Sequence, residues 1–277
     1  MGRVLVIRGE PALLDALHAA LSPSGHDVES CDGNVEAIRH VRRRATDLVI
    51  TDPTTTVNED LALAEELRAT RPGIRIIVRT PSAGPGEVIV ALRARVFACF
   101  AAAAPLEEIV DMARSALSAG PASDDIEVIS GLPHWLTLRV SCALLTAERL
   151  TRFLSEFETT LPEADRDLLI TAFREMLLNA MEHGAGFDAD RVIEVTAART
   201  ARAIVYHFKD PGGGFDEASA APVAASQAPE DIIAAMMKRE ELGLRPGGLG
   251  LLIVRQIVDE LVYNERRNEA ILIKHTD

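Results

Sequence analysis

Paired cysteines are missing from this 277-residue sequence. Cys31, Cys99 and Cys142 show neither close pairing nor a C-x-x-C spacing, so nothing points to a disulfide framework. Positive charge is also scarce. With 29 Lys and Arg against 42 Asp and Glu, the formal net charge is -13, which speaks against non-specific nucleic-acid binding, because neutralising phosphates needs a basic surface. The one short basic cluster, 39–44, reads as the solvated face of a helix. No apolar run approaches the roughly 20 residues that span a bilayer. The amino terminus lacks the charged, apolar, small-residue order of a signal peptide, and no internal repeat is visible. What remains is an expectation of a reduced, cytoplasmic protein whose partners are proteins or small molecules. Apolar residues make up 48% of the chain, and its length suffices for two domains with separate cores.

The first 118 residues alternate short β-branched runs with amphipathic stretches. Strands are expected at 3–8, 27–30, 48–51, 75–79 and 98–101, and helices at 12–21, 34–44, 58–70, 87–94 and 106–119. Five strands alternating with five helices predict a doubly wound parallel sheet. Ligands of such sheets bind at the carboxyl ends of the strands, which would gather Arg8 to Glu10, Asp52, Thr80 and Ala104.

This pattern resembles the receiver domain of two-component response regulators, a flavodoxin-like fold. Asp52 stands where the resemblance puts a phosphoacceptor, and Thr80 where it puts the hydroxyl that senses the phosphate. The acidic pair that would hold magnesium is replaced by Arg8, Gly9 and Glu10. The usual lysine before a proline is Ala104, before Pro105. Without a full acid cluster and that lysine, phosphorylation of Asp52 loses most of its electrostatic support. The expectation is a degenerate receiver used for interaction.

A small, polar, proline-bearing stretch over 119–127 reads as a linker between a domain at 1–118 and another at 128–277. Strands are expected at 126–129 and 136–142, with a helix from Thr146 as N-cap to residue 160. A second helix starts near Ala164 and ends at His183-Gly184, with Gly184 as a left-handed cap. Strands at 192–197 and 203–209 follow. Beyond a long alanine-rich segment, 216–243, expected to serve as a lid, come a helix at 249–260 and a final hairpin.

Three stretches of this half carry chemistry. REMLLNAMEHG places Glu175, Asn179 and His183 four residues apart, on one helical face. Glu175 could serve as a general base, and Asn179 offers an amide oxygen, a hard ligand suited to magnesium. Asparagine is disfavoured inside helices, which favours a functional reading; His183 reads as a helix-end residue complementing the dipole. In DPGGGFD, Asp210 can accept a hydrogen bond from an exocyclic amine, and glycines allow close backbone approach. In PGGLG, Gly247, Gly248 and Gly250 precede a helix whose amino terminus would face phosphates. Taken singly, Glu175 could be a solvated charge and the glycine runs ordinary turns. Their order is the signal.

With these motifs, residues 128–275 resemble the GHKL (Bergerat-fold) ATPases, and most closely the RsbW-like anti-sigma-factor serine kinases. The resemblance implies an α/β sandwich that binds ATP and Mg2+. In it Asn179 binds the metal, Glu175 is the base and Asp210 reads the adenine amine; Gly212, Gly214, Gly248 and Gly250 border the lid, and Phe215 completes the second motif. It further implies a serine or threonine kinase acting on a STAS-domain anti-sigma-factor antagonist, a possible sigma-factor partner, and homodimers. His134 and Trp135 lie beside Pro133 in a short turn, which argues against the autophosphorylating histidine-kinase branch. Two alternatives stand beside this one. The first is a non-catalytic module whose nucleotide selects its partners; the second is a response regulator phosphorylated at Asp52 that gates the ATPase domain.

Overall fold

A computed structural model describes residues 2–120, 125–158, 161–214 and 250–276. The chain divides into two compact units, Met1–Glu127 with Arg152–Thr159, and Val128–Thr151 with Thr160–Asp277.

In the first unit, β1 (Arg3–Ile7), β2 (Asp27–Cys31), β3 (Leu48–Ile50), β4 (Arg75–Thr80) and β5 (Ala98–Ala101) form one sheet in the order β2-β1-β3-β4-β5. All its pairings are parallel. This is the doubly wound order of flavodoxin-like folds, with the topological switch between β1 and β3. Central strands of such sheets are covered on both faces, and Leu5 to Ile7, Leu48 to Ile50 and Ile76 to Val78 are accordingly buried. The five helices are α1 (Pro11–Leu21), α2 (Asn34–Arg43), α3 (Val57–Thr70), α4 (Pro85–Arg93) and α5 (Leu106–Ser118). A capping box starts α3, where Thr56 accepts from the Glu59 N–H and Glu59 accepts from the Thr56 N–H.

In the second unit, β6 (Ile126–Leu132), β7 (Trp135–Ser141), β8 (Val192–Arg199), β9 (Ala203–Lys209), β10 (Glu260–Tyr263) and β11 (Glu269–His275) form a sheet in the order β10-β11-β9-β8-β7-β6. Its registered pairs are antiparallel. Alternation in β7, β8 and β9 sends Leu136, Leu138, Val140, Ile193, Val195, Ala197, Ile204, Tyr206 and Phe208 into the core. Helix α7 (Glu163–Asn179) lies on that face, with Phe173 5.0 Å from the Tyr206 ring, edge to face, and 5.1 Å from the Phe208 ring. Helix α8 (Gly250–Ile257) packs against α7.

Three local expectations are corrected. Helix α6 (Leu144–Phe157) starts before Thr146, so Thr146 is not its cap; the Thr146 hydroxyl instead lies 3.3 Å from that of Ser141. Helix α8 stops at Ile257 because the β-ladder takes over. The Asp259 N–H donates to the Ile273 carbonyl at 2.9 Å and Glu260 already pairs with Ile273. The third concerns Gly184 and belongs to the site below. Expectations placed on residues 215–249, including the lid, lie outside the described residues.

One buried acid in the first unit has a definite protonation consequence. Asp60 is 0% exposed, and its two oxygens lie 2.8 Å from the Thr51 hydroxyl and 2.7 Å from the Thr55 hydroxyl. Thr55 also lies 2.7 Å from the Asp52 carbonyl. A hydroxyl has one proton, so both Thr55 bonds are made only when Asp60 supplies the other. Burial pushes the Asp60 carboxyl up to about 6, against the pull of Thr55 and Thr51 and with added repulsion from Asp52. Its contribution to stability is therefore present in full below about pH 4 and is lost as pH rises through about 6. The loss is on the order of 2–3 kcal/mol. Thermal unfolding of the full chain should show Asp60→Asn gaining on the wild type between pH 4.5 and pH 7.5; parallel pH curves would contradict this assignment.

Candidate functional site

The polar helix of the second unit does not end in the expected way. Helix α7 gives way at Ala180 to a π-helical turn, Ala180–Gly184. Such widened turns often occur at functional sites. The positive backbone angles fall later, at Gly186 (φ 66) and Phe187 (φ 52), so Gly184 is not a left-handed cap. The turn closes through Gly186 N–H to the Glu182 carbonyl at 3.0 Å and Phe187 N–H to the Met181 carbonyl at 2.9 Å.

Gly184 is a glycine because of what lies against it. An ideal Cβ there would stand 2.2 Å from the Asp210 carboxyl carbon and 2.4 Å from its Cβ, far inside van der Waals contact. Strand β9 delivers Asp210 to this place, and its Oδ1 accepts the Gly212 N–H at 2.8 Å, an Asx turn. A Cβ on Gly212 would come within 2.8 Å of both Asp210 Oδ1 and the Gly184 carbonyl. The first two motifs therefore meet at the Asp210 carboxyl. Desolvation raises its pKa, while the Gly212 N–H and Arg191 act in the opposite sense.

Two supports of Asp210 were not read from the sequence. Arg191 donates from Nη1 to the Gly184 carbonyl and from Nη2 to the Pro211 carbonyl, each at 3.2 Å. From the other side, the Asp210 N–H donates to the Asn268 carbonyl at 3.0 Å. The turn carrying Asn268 is fixed by Asn264, whose side chain donates to Asn268 Oδ1 at 2.9 Å and accepts the N–H groups of Asn268 and Glu269. The only sequence signal was two asparagines in the connection of the final hairpin. Gly214 (φ 82) presses on the same turn, since a Cβ there would lie 1.5 Å from the Arg266 carbonyl oxygen.

The third motif also reaches the first. A Cβ on Gly250, the first residue of α8, would stand 2.5 Å from Glu175 Oε2. Glu175 is half-buried, with Arg174 Nη1 3.6 Å from its other oxygen. Asn179 is half-buried one turn further on, and His183 is exposed. Glu175, Asn179, Asp210, Gly212, Gly214 and Gly250 are thus placed; Phe215, Gly247 and Gly248 lie outside the described residues. Among the described residues no group of three or more His, Cys, Asp or Glu forms a metal centre. A cation at Asn179 would take its remaining ligands from phosphates and water, as magnesium does.

In the first unit, Asp52 lies at the carboxyl end of β3 and is 3% exposed. Both of its oxygens are engaged. Oδ1 accepts the Thr54 N–H at 2.8 Å and its hydroxyl at 2.7 Å, and Oδ2 lies 3.1 Å from Arg8 Nη1. Arg8 has a positive φ of 46° and donates from Nε to the Asp32 carbonyl at 3.0 Å. A side chain of the protein thus brings positive charge to the acid that the sequence marked as a phosphoacceptor. Thr80 is buried nearby in the sheet order, at the end of β4.

Residues 141–274 match a family model described as histidine kinase-like ATPase domain. Among solved structures, a response regulator from Thermotoga maritima is 20% identical, with a TM-score of 0.37 over 43% of this chain and 99% of that one. The non-phosphorylated HemR receiver domain from Leptospira biflexa is 20% identical, with a TM-score of 0.39 over 44% and 99%. A CheY-like receiver domain protein from Methanospirillum hungatei JF-1 is 21% identical, with a TM-score of 0.36 over 42% and 94%. No curated protein matches the chain.

The glycines of the second motif differ in what they must avoid, and substitution should rank them. Among the described residues nothing lies within 4 Å of a Cβ on Gly213, whereas at Gly214 a Cβ meets backbone and the φ is unfavourable. By thermal unfolding, Gly213→Ala should be near neutral. Gly214→Ala and Gly184→Ala should each lose about 1–3 kcal/mol. Equal effects at Gly213 and Gly214 would refute the packing described here.

Proposed function

We propose that the second unit binds ATP with Mg2+ and that the protein is a regulatory serine or threonine kinase of the RsbW-like kind. The observation that carries this reading is the seat of Asp210. Its carboxyl is wedged against Gly184, tied to the Gly212 N–H and desolvated, a geometry suited to accepting a hydrogen bond from an adenine amine. The match of residues 141–274 to histidine kinase-like ATPase domains supports the same reading.

The metal–nucleotide complex would supply the activated phosphoryl group. The chain's part is to orient and to move a proton. Asn179 offers an amide oxygen to the cation, and Glu175, one turn earlier, takes the proton of the attacking hydroxyl. Catalysis is then mainly positioning and charge neutralisation. The protein substrate is proposed to be a STAS-domain antagonist, with a sigma factor as the alternative partner and a homodimer as the working form. The first unit is proposed to be a receiver-like interaction domain in which Arg8 holds Asp52. Acetyl phosphate should therefore not label the protein, and label lost in Asp52→Asn would refute that role.

The kinase reading predicts a separation of effects. By calorimetry, Asn179→Ala should lose magnesium-dependent ATP binding. Glu175→Gln should bind ATP and lose transfer of the γ-phosphate to a STAS protein. Gly250→Ala displaces only the end of the flexible Glu175 side chain and gains helix propensity. It should keep the melting temperature while transfer falls at least tenfold. ATP binding with no transfer in the wild type would favour the non-catalytic nucleotide-gated module.

A further inference from the structure

Arg191 stands outside all three motifs, and it joins two of them. One guanidinium spans the Gly184 carbonyl, at the end of the first motif, and the Pro211 carbonyl, in the second, at 3.2 Å each. Its own backbone is fixed on both sides: the Arg191 N–H donates to the Asp188 carbonyl at 3.0 Å, and its carbonyl accepts the Cys142 N–H at 3.1 Å. Between the two clamped loops lies the Asp210 carboxyl, with Gly184 and Gly212 too close to admit a Cβ. We propose that Arg191 is a positioning residue of the base subsite, clamping the loops that aim Asp210 and so setting selectivity for an exocyclic amine over a keto oxygen. This rests on the nucleotide-binding reading above.

The chemistry of the selectivity is simple. An ionised carboxylate only accepts hydrogen bonds; it attracts an amine and repels a keto oxygen at the same place. A neutral acid can donate, and so tolerates the keto group. Desolvation pushes Asp210 towards the neutral acid, and Arg191 opposes it. Among the described residues Arg191 is the charge that acts on Asp210, and the groups beside it do not replace it. Cys142 is a buried thiol pushed up to about 11, Asp188 is an acid, Asn268 is neutral, and Lys209 pairs with Glu269 at 3.6 Å. An arginine fork suits the task because it offers two parallel donors with a permanent charge.

The test has two readouts on the full chain. In nucleotide-free protein, carboxyl NMR follows the titration of Asp210 in the wild type, Arg191→Lys, Arg191→Met and Arg191→Gln. Gln serves as a second neutral variant should Met fail to fold. The Asp210 midpoint should rise in Met and Gln and stay near the wild type in Lys. ATP and GTP affinities are then compared from pH 5 to pH 8. The ATP preference should fall as pH drops through the Asp210 midpoint, and in the neutral variants the fall should begin at higher pH. A strut with a purely structural role would lower the melting temperature and leave the Asp210 midpoint in place, and that result overturns the proposal. A shifted midpoint with an unchanged ATP preference overturns the selectivity. If neither nucleotide binds the wild type while the midpoint still shifts, the nucleotide reading fails and the selectivity fails with it.

Discussion

The close approach of the Asp210 carboxyl to the backbone at Gly184 is the constraint on which the second unit's site depends. Two segments 26 residues apart in sequence meet with no room for a single methyl group between them. That contact explains the glycine at 184 without any appeal to backbone angle, since the positive angles fall at 186 and 187. The π turn ends at this same residue, and the Gly184 carbonyl there accepts from Arg191.

The sheet supplies the rest of the positioning. Strand β9 lies between β8 and β11, so the end that carries Asp210 is held in register from both sides. The Phe173, Tyr206 and Phe208 rings lock α7 onto the same strand. Motions that would separate α7 from β9 therefore have to break a packed aromatic cluster. Glu175 is placed differently, against the first residue of α8, where the absence of a Cβ at Gly250 leaves space for its carboxylate.

Periodicity and β-branching were enough to read the elements. The five strands of the first unit, the alternation of β7 to β9 and the polar face of α7 all stand where residue patterns place them, to within one to three residues for most ends. The limits of that reading are equally physical. Patterns along a chain report which face is buried, and they do not report which loops touch. Arg191, Asn264 and Asn268 stand outside all three motifs. Their importance lies in hydrogen bonds to segments distant in sequence. Gly184 was read from the commonest local role of a helix-end glycine, but a contact with Asp210 decides it. Arg8 was noted for replacing an acid, and its reach to Asp52 depends on a positive φ that no local pattern demands.

The two units treat an acid at a strand end in opposite ways. Asp52 has both oxygens engaged, with Thr54 on one and Arg8 on the other. Among the described residues the Asp210 carboxyl accepts through Oδ1, from the Gly212 N–H, which leaves acceptor capacity on Oδ2 for a ligand. The central claim is that this remaining capacity reads an adenine amine. Calorimetric titration of ATP into the wild type and into Asp210→Asn tests it most directly, because the amide keeps the size of the side chain while losing its charge and one acceptor. The account predicts magnesium-dependent ATP binding by the wild type and at least a tenfold loss in Asp210→Asn with an unchanged melting temperature; equal affinities in the two proteins would contradict it.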